Sequence, residues 1–429
     1  MVDKTELYAV KGMNDIGPFA SEPFLHSAVW QHILGTAGTL LNQYGFAPVH
    51  LPVVEPTALF SRGIGAETDI VGKEMYTFTD RGDRSLSLRP EGTAGAVRAY
   101  LEHNLARTDP VQKWWYAGPM FRAERPQKGR YRQFYQIGAE VLGIADPSAD
   151  AEMLSMLHHL CTALGLDGIA VRLNTLGDRE SRQAYRGVLV EYLTARQGEL
   201  CESCRGRIQT NPFRVLDCKR ETCHAVAVNA PDILLSLTPA SREHFDRVCA
   251  LLGDLKVPYV RDPLLVRGLD YYTGTTFEFT TGLLGSQDAI LGGGRYDELV
   301  ELLGGPPTPA IGFAAGVERL ALLIADKVAK TGPDLYLIPM PGAQSACLLL
   351  AGELRKIAPW RVEVDCSGGR VKHQMHRADR IRARSAIVIG SEELASGRGK
   401  LKNLKDSTDV PVELCGPAVH AALLDCLGS

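Results

Sequence analysis

The most informative part of the sequence is GPMFRAERPQKGRYRQFYQIGAE, residues 118–140. With the preceding WWYA it predicts a strand, a PQKG turn and a returning strand. Side chains alternate between the two faces of a strand, so Arg122 and Glu124 share one face of the first strand. Gln136 and Glu140 share one face of the second. A solvated edge hairpin is one interpretation. We favour an open sheet that serves as a ligand platform, because aligned polar groups are costly to bury without partners.

The composition is that of a globular protein with substantial cores. The 429 residues predict two or three domains. With 45% hydrophobic and 23% charged residues, disorder, collagen and coiled coil are excluded as whole-chain descriptions. The 47 Lys and Arg against 50 Asp and Glu give a net charge of −3, so nucleic-acid binding requires a local basic face.

No segment indicates a membrane or export. The polar N-terminus, MVDKTELYAVKGMND, lacks an apolar signal core. No apolar run reaches the roughly 18–20 residues of a membrane helix. The scattered cysteines do not resemble a secreted disulfide framework. We therefore expect a cytoplasmic protein with mostly reduced thiols and no membrane partner.

Along the rest of the chain, the sequence pattern predicts two sheet regions separated by helices. A helix over 27–44 precedes a strand over 46–56, whose prolines confine it to an edge or an interface. A second sheet-like region covers 264–279 and leads through a Gly-rich turn with GGGR to a helix carrying GVER. The helix-rich stretch 165–260 lies between the two, as an inserted domain would. Beyond residue 334, strands and helices alternate, which predicts an α/β domain with a mainly parallel sheet.

Six runs taken together resemble the histidyl-tRNA synthetases, within the class II aminoacyl-tRNA synthetases. GGGR alone is weak, but the order of the runs is specific and spans the chain. They are KGMND (11–15), LRPEGTAGAVRAY (88–100), the 118–140 run, VRGLDYYTGTTFEF (266–279), GGGRYDEL (292–299) and GFAAGVERL (312–320).

The resemblance implies an α+β fold in two domains. A class II catalytic domain with an antiparallel sheet would cover 1–330, with an inserted, mainly helical domain at about 180–260. An α/β anticodon-binding domain would cover 333–429. The implied activity is that of a homodimeric ligase, which activates L-histidine with ATP and transfers it to tRNA-His.

Three arginines are expected to handle the anions of this reaction. Arginine is permanently charged and binds phosphate through two parallel hydrogen bonds. By resemblance, Arg122 holds the α-phosphate of ATP, with Glu124 also at the ATP site, and Arg319 lies on the γ-phosphate side. Arg267 would bridge the substrate carboxylate and the α-phosphate, with Mg²⁺ on the other phosphates. The alternative for each arginine is a structural salt bridge.

The resemblance also assigns a histidine pocket. Glu91 would bind the α-amino group, and Glu140 with Tyr272 would grip the imidazole ring. On a regular strand, Tyr271 would share a face with Arg267, and Tyr272 would point to the opposite face. The resemblance nevertheless selects Tyr272, with Tyr271 as a second lining residue. The expected pocket comprises Glu91, Gly92, Thr93, Gln136, Glu140, Tyr271 and Tyr272.

Further positions are expected to contact tRNA or a second subunit. By resemblance, Arg125 and Gln127 meet the acceptor end of tRNA, although both also suit an exposed loop. Pro52 would lie at the dimer interface, and its alternative is an ordinary edge-strand proline. A basic run in the C-terminal domain supplies a positive face for RNA, although a solvated helix face is the usual explanation for such a run. It comprises Arg370, Lys372, Arg377, Arg380, Arg382 and Arg384.

The cysteine spacing leaves two interpretations open. Cys201, Cys204, Cys218 and Cys223 have a spacing that suits a structural zinc site. Against zinc, the second pair is separated by four residues, and histidyl enzymes carry a segment like TNPFRVLDCK with or without these cysteines. His224 is an alternative ligand. We expect reduced thiols in preference to zinc.

Two other functions are alternatives to that of a histidine ligase. One is the inactive, synthetase-like regulatory subunit of ATP phosphoribosyltransferase, a histidine sensor with eroded motifs and typically no anticodon domain. Arg122, Arg267, Arg319 and the C-terminal domain argue against it. The other is a class II synthetase for proline, threonine or glycine, which VRGLDYY disfavours.

Overall fold

The computed structural model describes residues 7–65, 68, 70–127, 129–269, 271–284, 289–328 and 332–428. The chain forms two units, Met1–Val328 and Ala329–Ser429. Among the described residues, the first unit contains an eight-stranded and a three-stranded sheet, the second unit contains a five-stranded sheet, and each unit has its own hydrophobic core. Asp270 of the VRGLDYY run, Lys128 of the PQKG turn and Thr331 of the linker lie outside the described residues.

The strands of the first unit form one large and one small sheet. In chain order they are β1 (Ala47–Pro48), β2 (Val54–Pro56), β3 (Thr77–Thr79), β4 (Ser85–Leu88), β5 (Gln112–Phe121), β6 (Gln133–Leu142), β7 (Ala170–Thr175), β8 (Val260–Arg261), β9 (Thr273–Thr280), β10 (Ala289–Arg295) and β11 (Ala310–Gly316).

The helices of the first unit cover the large sheet and fill the stretch between β7 and β8. They are α1 (Ser27–Gln43), α2 (Thr57–Gly63), α3 (Thr93–Glu102), α4 (Leu105–Thr108), α5 (Ser148–Ala163), α6 (Arg179–Ala195), α7 (Glu202–Thr210), α8 (Phe213–Leu216), α9 (Glu221–Ala227), α10 (Pro239–Asp254), α11 (Leu299–Leu302) and α12 (Val317–Ile324). Short 3₁₀ turns occur at Pro23–Leu25, Gln197–Glu199, Ile233–Ser236 and Gly282–Leu284, and a π turn occurs at Ile70–Glu74.

The large sheet is mostly antiparallel. Its order is β1-β5-β6-β11-β10-β9-β7-β8, and only the outermost pairs, β1 with β5 and β7 with β8, are parallel among the described strands. The small sheet has the antiparallel order β2-β4-β3. The predicted α+β class with an antiparallel sheet is confirmed.

The predicted helix over 27–44 is confirmed, whereas the proline strand is shorter than expected. Helix α1 buries Val29, Ile33, Ala37 and Leu41 at helical spacing. The segment predicted as one strand over 46–56 is divided between β1, at the edge of the large sheet, and β2, in the small one. Proline cannot donate to a strand ladder, which explains why pairing stops in between.

Three predicted boundaries are wrong. Strand β5 ends at Phe121, so Arg122 and Glu124 follow the strand and strand parity does not relate them. In the sheet-like region predicted over 264–279, the described residues before Thr273 do not belong to a strand. GGGR lies inside β10 and not in a turn. A Cβ on Gly293 would lie 2.1 Å from the carbonyl oxygen of Gly312, so the neighbouring strand requires glycine there.

The two faces of β6 serve different purposes. Ile137, Ala139 and Val141 join the core formed with α1, α5 and α12. Gln136 and Glu140 alternate with them and therefore point to the opposite face. Tyr116 of β5 joins the apolar cluster on that face, to which α6–α9 also contribute.

The second unit is a three-layer α/β arrangement. Its strands are β12 (Leu335–Pro339), β13 (Val362–Val364), β14 (Ser385–Ile389), β15 (Arg398–Asn403) and β16 (Asp409–Glu413). Its helices are α13 (Gln344–Ile357), α14 (Val371–Arg380), α15 (Ser391–Ser396) and α16 (Gly416–Leu427). The sheet order is β13-β12-β14-β15-β16. Only the first two pairings are parallel, so the expected mainly parallel sheet is half antiparallel.

None of the helices in the described part of the chain is both long and apolar enough to cross a membrane.

Candidate active site

The centre of the candidate site is the carboxylate of Glu140, which is fully buried. Three hydroxyl groups donate to it. Thr93 Oγ1 lies at 2.9 Å and Tyr116 OH at 2.8 Å from Oε1, while Tyr296 OH lies 2.6 Å from Oε2. Burial raises the pKa of Glu140 to about 8, and the three hydroxyl groups oppose that rise.

Glycines create the space for this cluster. A Cβ on Gly312 would lie 1.7 Å from Oε2 of Glu140. A Cβ on Gly92 or Gly138 would lie 2.2 or 2.5 Å from ring atoms of Tyr116. Glycine at these three positions therefore leaves room for the Glu140 carboxylate and the Tyr116 ring.

Glu91 lies beside the start of α3. Its Oε2 accepts the backbone N–H of Thr93 at 2.6 Å, and its Oε1 accepts that of Ala94 at 3.0 Å. The side chain is buried, and burial raises the pKa of its carboxyl group. The two backbone donors hold the carboxylate in one orientation at the positive end of a helix.

Gln136 lies on the same face of β6 as Glu140. Its side-chain Oε1 is buried and has no hydrogen-bond partner within the described part of the chain. A buried acceptor without a partner is costly, which makes this amide a candidate ligand-binding group.

Arg122 follows the end of β5 and turns toward the segment before α3. Its Nε donates to the carbonyl oxygen of Pro90 at 3.0 Å, and its guanidinium carbon lies 5.2 Å from the ring centroid of Phe134. Burial lowers the pKa of this guanidinium group. Arg122 and Glu91 also interact electrostatically, so the structure brings these two predicted site residues together.

Arg267 lies close to Tyr272, contrary to the parity argument. Its Nη1 donates to Oε1 of Glu278, and its guanidinium carbon lies 5.6 Å from the ring centroid of Tyr272. Strand β9 begins only at Thr273, so Arg267 and Tyr272 lie outside it and strand parity does not relate them. A Cβ on Gly292 would lie 2.5 Å from Nη1 of Arg267, so this glycine leaves room for the guanidinium.

The aromatic residues form a continuous wall next to Glu140. The ring centroids of Tyr271 and Tyr272 are 4.9 Å apart, and those of Tyr271 and Tyr296 are 5.7 Å apart. All three residues are buried. Tyr271 and Tyr272, the two tyrosines predicted to line the histidine pocket, therefore both belong to this wall.

Arg319 is oriented by backbone carbonyls. Its Nε donates to Gly129 O at 3.2 Å, and its Nη1 donates to Ala289 O. Glu124 lies in the same electrostatic neighbourhood and pairs with Arg130 at 3.2 Å. Two neutral carbonyls orient the guanidinium of Arg319 without neutralising its charge.

Three other predicted positions are exposed. Arg125 and Gln127 are exposed in the connection between β5 and β6. Pro52 is exposed between β1 and β2, and its carbonyl oxygen lies 3.5 Å from Nη1 of Arg89. These three positions do not join the cluster around Glu140.

In the second unit, the basic run divides into exposed and paired residues. Arg377 Nε donates to Asp365 at 2.9 Å, and Arg384 Nη2 donates to the carbonyl oxygen of Leu427 at 2.7 Å. These two side chains are held by contacts within the unit, and their part in an RNA face stays a prediction. The exposed members are Arg370, Lys372, Arg380 and Arg382.

The four clustered cysteines are brought together by the fold. Every Sγ atom of Cys201, Cys204, Cys218 and Cys223 lies within 4.8 Å of the others. His224, the alternative ligand, is exposed and lies outside this group.

Sequence reasoning missed Tyr116, Tyr296 and Glu278. Tyr116 pairs with Gly138 across β5 and β6, and Tyr296 directly follows GGGR. The sequence signal that could have indicated Tyr116 is a large residue paired with a glycine on the neighbouring predicted strand. For Glu278 no local signal existed, because its partner Arg267 lies in an irregular segment.

Comparison with known proteins identifies the family. The family model described as histidyl-tRNA synthetase matches residues 26–320, and the one described as anticodon binding domain matches residues 334–414. A histidine–tRNA ligase of Trichlorobacter lovleyi is 49% identical over 415 residues, covering 96% of this chain and 97% of the relative. One of Anaeromyxobacter dehalogenans is 48% identical over 415 residues, covering 95% and 98%.

A solved structure extends the likeness to the fold. The crystal structure of apo S. aureus histidyl-tRNA synthetase has 34% sequence identity and a TM-score of 0.77, and the match covers 98% of this chain and 99% of that one. With nearly half of the residues identical to those of full-length relatives, this chain belongs to the histidyl-tRNA synthetase family.

Proposed function

We propose that this chain is a histidine–tRNA ligase, which forms histidyl-adenylate and pyrophosphate from L-histidine and ATP and then transfers the histidine to the 3′ end of tRNA-His. Family membership supports the overall activity. The observation that carries the chemistry is the convergence of Glu140, Glu91 and Arg122 on one side of the antiparallel sheet.

Glu140 is proposed to recognise the imidazole ring. A carboxylate has about four acceptor positions, and three are taken by the hydroxyls of Thr93, Tyr116 and Tyr296. The fourth, on Oε2, is left for an imidazole N–H. The tyrosine wall would enclose the ring, with Tyr272 against it.

Glu91 and Gln136 are proposed to hold the remaining polar groups of the amino acid. Each oxygen of Glu91 accepts one backbone N–H and retains a second acceptor position for the α-ammonium group. Gln136 offers its unpaired Oε1 to the same substrate. Gly92 and Thr93 close the pocket at the start of α3.

The arginines are proposed to bring the two anions together. The histidine carboxylate oxygen attacks the α-phosphorus of ATP, and the bond from that phosphorus to the pyrophosphate oxygen breaks. Arg122 would hold the α-phosphate, Arg319 the γ-phosphate side, and Arg267 the developing charge between carboxylate and phosphate. In the second step a ribose hydroxyl at the tRNA end attacks the histidyl carbonyl, and AMP leaves.

Mg²⁺ is the cofactor expected for the ATP. It prefers carboxylate oxygens combined with substrate phosphates. Glu124, with only 14% of its side chain exposed, lies in the electrostatic neighbourhood of Arg122 and Arg319 and fits this requirement. When bound, the ion neutralises phosphate charge that the arginines do not reach.

The remaining roles are proposed from exposure and charge. Arg125 and Gln127, exposed in the β5–β6 connection, would meet the tRNA acceptor end. The exposed basic residues of the second unit would contact the anticodon region. Pro52 would lie at a homodimer interface, and the protein would work in the cytoplasm.

The proposal is tested by ATP–pyrophosphate exchange with each of the twenty amino acids in turn. Histidine alone should support exchange without tRNA. Exchange with proline, threonine or glycine would reject the specificity. Histidine binding without any exchange would favour the regulatory-subunit alternative.

A further inference from the structure

Four thiols from three short helical segments converge at one point. Cys201 immediately precedes α7, Cys204 lies within α7, Cys218 follows α8, and Cys223 lies within α9. Their Sγ atoms all lie within 4.8 Å of one another. Cys204 and Cys223 are fully buried, and the other two are half-buried.

We propose that these four cysteines bind one Zn²⁺ ion as a closed structural site. Tetrahedral coordination at a Zn–S distance of about 2.3 Å places sulfur atoms about 3.8 Å apart, within the observed limit. The backbone N–H of Cys201 donates to Sγ of Cys223 at 3.2 Å. Such donors stabilise the negative charge of metal-bound thiolates.

The arrangement is not explained by packing or by disulfides. A thiol is a weak hydrogen-bond donor, so burial alone gives no reason for four of them to meet. A disulfide requires a sulfur–sulfur distance of about 2.05 Å. All four cysteines are free. With four thiolate ligands no position is left for a substrate, so the site is structural.

The metal-binding segment reaches the proposed catalytic arginine. Arg214 lies in α8, between the second and third cysteines, and its Nη1 donates to the carbonyl oxygen of Arg267 at 3.3 Å. Helices α7, α8 and α9 have only 9, 4 and 7 residues, too short for stability on their own. The ion would hold the segment that positions Arg267, and this second role rests on the proposed function.

Metal analysis of the full-length protein, purified without chelator, tests the site itself. We expect about one zinc per chain. Substituting Co²⁺ should produce the thiolate charge-transfer and ligand-field bands of tetrahedral cobalt. Cys201→Ser, at a half-buried position, should weaken metal binding and leave the protein foldable. Cys366→Ser, at an exposed cysteine outside the cluster, is the matched control and should retain the metal.

Three results would overturn the zinc site. They are no zinc after adding Zn²⁺ to reduced protein, disulfides within the cluster in protein isolated under reducing conditions, or full zinc retention in a Cys204→Ser/Cys223→Ser double variant. None of these three measurements depends on catalysis, so the zinc site is tested independently of the proposed function.

The positioning role is tested by combining two perturbations. Chelation and Arg214→Ala should each slow single-turnover adenylate formation by about 10-fold, with a smaller change in the KM for ATP. If the metal acts through Arg214, chelation should slow the Arg214→Ala variant little further. Independent, multiplying effects would reject this coupling, and an undiminished rate in the metal-free protein would reject the role.

Discussion

The hydroxyl of Tyr296 lies 2.6 Å from Oε2 of Glu140, and the two residues are 156 positions apart in the chain. The contact joins β6 to the residue that follows β10, across the strand β11 that separates them. It holds the proposed imidazole-binding carboxylate between hydroxyl donors on both sides.

Glu140→Gln should raise the KM for histidine by about 10- to 100-fold, because the change replaces an acceptor oxygen with an amide N–H donor, and a buried polar group left without a partner costs about 1–3 kcal/mol. The KM for ATP should change little. Pyrophosphate exchange with each substrate varied in turn measures both constants. Tyr296→Phe, which keeps the carboxylate and removes one donor, should have a smaller effect. Equal losses for both substrates would indicate that Glu140 is structural.

Arg267→Ala should slow adenylate formation by about 100-fold or more, while ATP binding changes much less. A fixed cation at the point of developing charge is worth a few kcal/mol in the transition state. Single-turnover adenylate formation and equilibrium ATP binding separate the two effects. A rate within about threefold of the wild type would contradict the assigned role.

Gly292→Ala should displace Arg267 without removing it. The added Cβ would lie 2.5 Å from Nη1, the far end of a flexible side chain, so folding should be retained. We expect adenylate formation to fall by about 10- to 100-fold. Gly35→Ala, in α1 with no atom within 4 Å of the added Cβ, is the matched control. Activity equal to that of the control would show that Arg267 tolerates displacement.

The stability of the ligand-free protein should fall as the pH rises toward 8. Burial raises the pKa of Glu140 from 4.5 to about 8, so the folded state binds this proton more tightly than the unfolded state. The resulting stabilisation is fully present below the unfolded pKa and is lost as the pH passes through the folded one. Thermal unfolding midpoints between about pH 5.5 and 8.5 should therefore decline more steeply for the wild type than for Glu140→Gln.

Glu318→Gln provides the comparison for this pH effect. Burial raises the pKa of Glu318 to about 7, so its removal should flatten the profile mainly below that pH. Profiles of the wild type and Glu140→Gln that run parallel would contradict the raised pKa of Glu140.

Charge reversal at Arg370, Lys372 and Arg380 together should weaken tRNA binding and spare histidine activation. All three side chains are exposed in the second unit, and each lost phosphate contact reduces affinity and its salt dependence. We expect the KM for tRNA-His to rise about 10-fold or more. Charge reversal at Lys356 and Lys405, exposed elsewhere in the same unit, is the control. An unchanged KM for tRNA would locate the RNA-binding face elsewhere.

The parts of the protein that depend on local pattern could be predicted from the amino-acid sequence. Apolar spacing defined α1, and strand–helix alternation defined the second unit. Period-2 spacing correctly placed Gln136 and Glu140 on one face, because both lie inside a regular strand. The six motifs, taken together in their order along the chain, identified the family, because the assignment rested on their combination and not on any single motif.

Which distant groups meet depends on tertiary packing and could not be predicted from local pattern. Tyr116 and Tyr296 reach Glu140 from β5 and from the end of β10, a contact that glycines on the neighbouring strands permit. Arg267 can lie beside Tyr272 because β9 begins only at Thr273, so strand parity applies to neither residue. The convergence of Cys204 and Cys223 likewise follows from how α7 and α9 are placed. Sequence spacing limits how far apart two groups can be, whereas close packing in three dimensions decides whether they touch.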